Sequence, residues 1–245
     1  MNKKDPVVTI ITVCYNSEKT IERTIKSILS QSYKNIEFII IDGKSKDKTI
    51  SIINKYKKDI DKFVSEKDNG IYDAFNKGLK IYNGDIVGFV NSDDFLLPKA
   101  IETLIKYYKK YPEKDFFFGS VKKDWGIISG YKPWKIHFSW GFFTSHSPGF
   151  FIKRAAAKKV GLYNLKYKLS SDYDYFFRMI VKKRLSGIAT KKNEVFGVFS
   201  RGGLSSTISF KDHLKECTQI RVDNGQSKIL VFAIYVLKVI NNIMK

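Results

Sequence analysis

Asn91, Ser92, Asp93 and Asp94 place two carboxylates, an amide and a hydroxyl side by side. Adjacent carboxylates repel each other unless a cation or a shared proton stands between them. A hard divalent ion such as Mg2+ or Mn2+, taken by one or two carboxylates and completed by water and substrate phosphates, resolves that repulsion. The same residue types also favour turns and helix N-caps, so the segment equally suits a turn that caps a helix beginning after Pro98.

The elements around the quartet decide where it can act. Ile86 to Val90 is a short apolar run bounded by turn residues, which reads as a strand, and the quartet falls at its carboxyl end, where open α/β sheets hold their ligands. Upstream, Val7 to Val13 is a β-branched strand followed by the turn Tyr15-Asn16-Ser17, and Thr20, Ile21, Thr24, Ile25, Ile28 and Leu29 recur at helical spacing. Ile36 to Ile41 is a second buried strand, followed by a polar loop from Asp42 to Thr49 and a helix from Ile50 to Tyr56. A short strand at Lys62 to Ser65 leads into Glu66 to Gly78, whose second half reads as helix. Downstream, the pattern predicts a helix over Lys99 to Tyr111, a strand over Phe116 to Val121 and a loop-rich, aromatic segment over Lys122 to Ser145. A strand at Phe150 to Ile152, helices at Ala155 to Val160 and Asp174 to Lys183, a strand at Glu194 to Ser200 and a helix at Phe210 to Arg221 complete the series. Strands alternating with helices imply an α/β chain with a mainly parallel sheet covered on both faces.

Composition narrows the partners. The 245 residues include 44 Lys and Arg against 24 Asp and Glu, a formal charge of +20, so an anionic partner is expected. Nucleic acid, an acidic membrane surface and a phosphorylated substrate all qualify, but the lysines are spread along the chain rather than gathered in one arm, which weakens the nucleic-acid reading. Apolar content of 43% excludes a disordered chain. Cys14 and Cys217 are too few for a disulfide framework, and no signal peptide is visible, so a reducing cytoplasm is the expected compartment. Ile229 to Ile240 is apolar but short of the roughly 20 residues needed to cross a bilayer. Flanked by Lys228, Lys238 and Lys245, it suits a helix lying in a membrane interface, packed on the domain, or joining two subunits.

In joint order, five stretches resemble family 2 glycosyltransferases of the GT-A fold: Thr9 to Asn16, Ile41 to Thr49, Asp68 to Gly78, Asn91 to Asp94, and Ser171-Asp172-Tyr173-Asp174. Asn69 to Gly78 is similar to the subgroup that builds bacterial surface polysaccharides such as colanic acid or O-antigen. The resemblance implies a Rossmann-like GT-A domain over 1–206, its nucleotide-binding half about 1–98 and its acceptor half about 99–206, with a helical extension over 207–245. It implies that Thr12 and Tyr15 line the nucleoside pocket, that Asp42 accepts the imide N–H of uracil, and that Asp73 lies beside the nucleotide. Asn91 stands where the family's Asp-x-Asp motif begins with Asp, which leaves Asp94 as the expected metal ligand and Asp93 facing metal, ribose or donor sugar.

Asp172 matches the family's catalytic base, the group that takes the acceptor hydroxyl's proton as it attacks the anomeric carbon in a single inverting displacement. Mn2+ or Mg2+ would offset charge on the departing diphosphate. Asp174 reads better as a helix N-terminal charge than as a second base. His146 and Arg201 are candidates to meet phosphate or acceptor, each with a structural alternative. Trp125, Trp134 and Trp140 suit either an acceptor platform or the core. The expected reaction moves a sugar from a nucleotide donor, UDP-linked, to a lipid-linked saccharide at the inner membrane face. Two other functions compete: a basic polyanion-binding module, in which the four acids Asp42, Asp93, Asp94 and Asp172 are dispensable, and a nucleotide-sugar-binding scaffold without turnover.

Overall fold

The structure, a computed structural model, describes residues 5–138, 146–200, 202 and 209–244. β1 (Val8–Cys14) and β2 (Ile36–Asp42) are buried along almost their whole length, as expected of apolar strands covered on both faces. They pair in parallel, β3 (Lys62–Ser65) adds parallel to β2, and β4 (Ile86–Phe89) lies parallel to β1 on its other side. The crossovers are α1 (Ile21–Leu29), α2 (Thr49–Lys55) and α3 (Ile71–Ile81). In α1 the buried residues are Ile21, Thr24, Ile25 and Ile28, the stripe that its spacing predicts.

After β4 come β5 (Phe95–Leu96), α4 (Ala100–Lys110), β6 (Phe116–Phe118), β7 (Ser120–Lys123), β8 (Gly126–Ile128) and a 3-10 turn at Pro133–His137. β9 (Phe150–Lys153), α5 (Arg154–Val160), α6 (Ser171–Phe177), a π-turn at Arg178–Lys182, β10 (Gly187–Ala189), β11 (Val195–Val198), α7 (Phe210–Asp223) and α8 (Lys228–Ile243) follow. The described residues form a seven-stranded sheet in the order β10-β6-β9-β4-β1-β2-β3 and a smaller one in the order β5-β11-β7-β8. In the large sheet β9 alone runs antiparallel to its neighbours β4 and β6. Its leading residues therefore enter at the edge where the parallel strands end.

Two expectations change. The single strand expected over Phe116 to Val121 is two strands in two sheets, divided at Gly119. A Cβ there would stand 2.0 Å from the Phe196 ring, so only glycine lets the chain pass so close to β11. The segment after Lys122, expected to be loop-rich, contains the β7–β8 hairpin and the 3-10 turn as far as His137. Behind the sheet, Phe118, Phe150 and Phe176 pack ring against ring, tying α6 to β6 and β9. Each such buried ring contributes on the order of 2–3 kcal/mol.

Candidate active site

From Val90 the chain turns through Asn91–Asp94 toward β5, and α1 holds that turn in place. Thr24 Oγ1 donates to the carbonyls of Asp94 at 2.6 Å and Ser92 at 2.9 Å. The Arg23 guanidinium donates to the Asp93 carbonyl at 2.6 Å and to Ser200 Oγ at 3.0 Å. Asp94 is buried: its Oδ2 accepts from Ser147 Oγ at 2.7 Å, and its Oδ1 from the Ser200 backbone N–H at 2.9 Å. Ser147 in turn accepts the Asn91 N–H at 2.9 Å. The antiparallel course of β9 makes this meeting possible, because Ser147 precedes that strand and so sits at the carboxyl end of β4. The helix-capping alternative is not realised, since Lys99 is the N-cap of α4 and makes no side-chain cap.

Burial, and then the neighbouring Asp93, push the Asp94 carboxyl up to about 7, against the pull of Ser147, the Ser200 N–H and Lys123. Burial raises Asp93 too, with Arg23 opposing. Asn91 Oδ1 is buried without a hydrogen-bond partner. A carboxylate pair in want of positive charge and an orphaned amide oxygen in one turn fit the oxygen preference of Mg2+ or Mn2+. Among the described residues no group of three or more His, Cys, Asp or Glu side chains could hold a metal. Water and phosphate oxygens would therefore complete the coordination.

The expected nucleoside pocket is arranged differently from the sequence reading. Asp42 is fully buried and saturated by the protein. Its oxygens accept from the Lys44 and Ser45 N–H groups at 3.0 Å each, from Ser65 Oγ at 2.6 Å and from Ser45 Oγ at 2.5 Å. Strand register is the cause, because Asp42 stands level with Cys14 on β1 and Ser65 on β3. Thr12 is also fully buried, with Oγ1 lacking a partner. Tyr15, by contrast, is 57% exposed. A Cβ on Gly43 would lie 3.4 Å from the Tyr15 ring and only 2.5 Å from Asp68 Oδ2, so the bare glycine lets that carboxylate close against the chain beside Tyr15. Asp68 Oδ1 accepts the Gly70 N–H at 3.0 Å, and Oδ2 lies against Gly43 near the Tyr15 ring. Sequence reasoning gave Asp68 no role; its signal is an acid in the loop after β3, beside the glycine that opens α3. Asp73 accepts the Asn69 N–H at 3.0 Å and so braces the start of α3.

Asp172 occupies the first turn of α6, where the helix dipole favours an anion. The Tyr72 hydroxyl lies 3.1 Å from Asp172 Oδ1, and the Tyr173 N–H donates to the same oxygen at 2.9 Å. Burial nevertheless raises the carboxyl above the usual range, with Tyr173, Tyr72 and the charge of His213 opposing. Asp174 lies in the first turn of α6, as expected of a helix N-terminal charge, and is also a buried ion-pair partner of Arg178 at 2.8 Å that accepts from Asn224 Nδ2 at 2.9 Å. His146 has a structural setting. It is stacked among Phe75, Phe89 and Phe176, hydrogen-bonded to the Tyr163 hydroxyl at 2.5 Å, and held neutral by burial, its pKa near 3. The rings nevertheless connect the two carboxylate sites, since Tyr163 stacks on Tyr72 and His146 neighbours Ser147. Trp125 and Trp134 are exposed, while Trp140 and Arg201 lie outside the described residues.

A family model described as glycosyl transferase family 2 matches residues 9–184. The chain is 29% identical over 223 residues to the UDP-Glc:alpha-D-GlcNAc-diphosphoundecaprenol beta-1,3-glucosyltransferase WfaP of Escherichia coli, covering 88% of this chain and 86% of that protein. An uncharacterized glycosyltransferase of Methanocaldococcus jannaschii, MJ1057, is 30% identical over 71% of this chain, and the match spans 65% of its own length. Among solved structures, Staphylococcus aureus TarS 1–349 in complex with UDP superposes with a TM-score of 0.72 at 18% identity, over 94% of this chain and 69% of that one. The mannosyltransferase PcManGT of Pyrobaculum calidifontis, in complex with GDP-Man and Mn2+, gives 0.67 at 18% identity, over 96% and 70%. At these identities the two structures establish the GT-A architecture alone.

Proposed function

Because the chain belongs to glycosyltransferase family 2, we propose that it moves a sugar from a UDP-sugar, with a divalent cation, to a lipid-linked saccharide in bacterial surface-polysaccharide synthesis. The observation that carries this reading is the Asn91–Asp94 turn, with its buried Asp94, its neighbouring carboxylate and its orphaned amide oxygen at the carboxyl edge of the sheet. A polyanion-binding module would have no use for a carboxylate pair held so deliberately at one edge. Support for the donor and acceptor classes comes from the name of the E. coli relative.

Each group has a defined task. Tyr15 offers its exposed ring to the base, and Asp68 Oδ2, beside Gly43, rather than the saturated Asp42, accepts the imide N–H. Asp94, Asp93 and Asn91 Oδ1 are the groups that would hold Mn2+ or Mg2+, which when bound neutralises charge on the diphosphate. Asp172 accepts the proton of the attacking hydroxyl. Tyr72 and the Tyr173 N–H favour the ionised form of that carboxylate against its burial and orient it.

A thermal-shift comparison of UDP, dTDP and GDP with and without Mn2+ tests the reading. A shift that favours UDP, requires Mn2+ and disappears in Asp94→Ala is the expected result. No shift with any nucleotide, beside a large one with heparin, would favour the polyanion binder.

A further inference from the structure

α8 has two unlike faces. Val231 and Ile234 are buried, with Lys238 half-buried on the same side. Ile229, Phe232, Val236, Leu237, Ile240 and Ile243 are all exposed. They recur at i, i+3, i+7, i+8, i+11 and i+14, which places them in one stripe along the helix. The stripe runs about 21 Å at 1.5 Å per residue. Phe232 is 69% and Ile243 78% exposed, values that an isolated surface side chain tolerates but a continuous apolar stripe does not without something to cover it. α8 contains Lys228 and Lys238 and no acidic residue. No helix among the described residues is long and apolar enough to cross a membrane.

We propose that this stripe lies in the headgroup region of an anionic lipid surface, with α8 parallel to the membrane plane. Two observations select lipid over a second copy of the chain. First, the formal charge of +20 makes two copies repel, whereas each lysine near an anionic surface contributes about 1 kcal/mol of attraction. The stripe itself offers no acid with which to pair a partner's lysines. Second, α8 packs on α7, and α7 packs on α6, whose first turn contains Asp172. A membrane at α8 therefore brings a lipid-borne hydroxyl to the Asp172 side of the molecule. This extends the lipid-linked acceptor reading above and rests on it for its purpose, though not for its physics.

Flotation of the full chain with phosphatidylcholine vesicles, with and without phosphatidylglycerol, tests the surface. The wild type should float with the anionic vesicles, and less so at about 1 M salt, where surface charge is screened. Phe232→Ser, Leu237→Ser and Ile243→Ser together should lower the partition by about tenfold or more, since three apolar side chains no longer enter lipid. The UDP-induced thermal shift of this variant should match the wild type, which shows that it folds. Ile229→Ser alone, at a position 84% exposed, provides a milder second variant and should lower flotation in the same direction. Wild type that stays with the unbound fraction, equal flotation of both variants and wild type, or a dimer in light scattering that the triple variant abolishes would each overturn the proposal. Flotation without any nucleotide binding would instead overturn the transferase reading and leave the docking surface standing.

Discussion

Tyr72 reaches Asp172 from one hundred positions earlier in the chain, and the pair couples the start of α3 to the start of α6. Its hydroxyl favours the ionised carboxylate while burial disfavours it, and the base works only when ionised. Tyr72→Phe should therefore move the acid limb of the kcat/KM profile to higher pH and leave the plateau above it nearly intact; a loss equal at every pH would mean that Tyr72 serves packing alone. Asp172→Asn should cut transfer by about 100-fold or more without changing UDP binding. At this scale the sequence was only partly legible. The resemblance marked Asp172 by its neighbours in the motif, but the sequence assigned Tyr72 no role, and nothing local announces a partner so distant. For His146 the sequence left a ligand contact and a structural place both open, and the ring packing of Phe75, Phe89 and Phe176 favours the structural one.

Among the elements, β1, β2 and β3 were readable because each is a β-branched or apolar run with turn residues at its ends. β5, β8 and β10 were not, because two or three residues contain too little alternation to distinguish strand from loop. Register, which sequence does not display, explains the largest correction. Lying level with Cys14 and Ser65, the Asp42 carboxylate ties three chain segments together with its own hydrogen bonds. Asp42→Ala should thus strand several buried donors and destabilise the fold by about 3 kcal/mol, a fall in melting temperature on the order of 10 °C by calorimetry. Asp68→Ala should barely change melting while weakening UDP binding about tenfold, the effect of losing one charge-assisted hydrogen bond. The reverse pattern would restore Asp42 to the pocket.

For the molecule as a whole, charge and patterning indicated an α/β chain with an anionic partner, and the mixed sheet bears out the first of these. The apolar stripe of α8 was visible as a run of residues, but its exposure depends on which side α7 leaves open, and that is a property of packing rather than of spacing. The antiparallel β9 carries one more consequence, in time rather than in space. Asp94 has its Ser147 partner only once β9, some sixty positions downstream, has inserted beside β4. Pairings so far apart in the chain form late, because the entropy of closing the intervening loop must be met first. Nucleotide binding should then appear in refolding only with the final cooperative phase, after most of the helical signal has returned. Followed by stopped flow, UDP binding becomes a clock for the closure of the sheet.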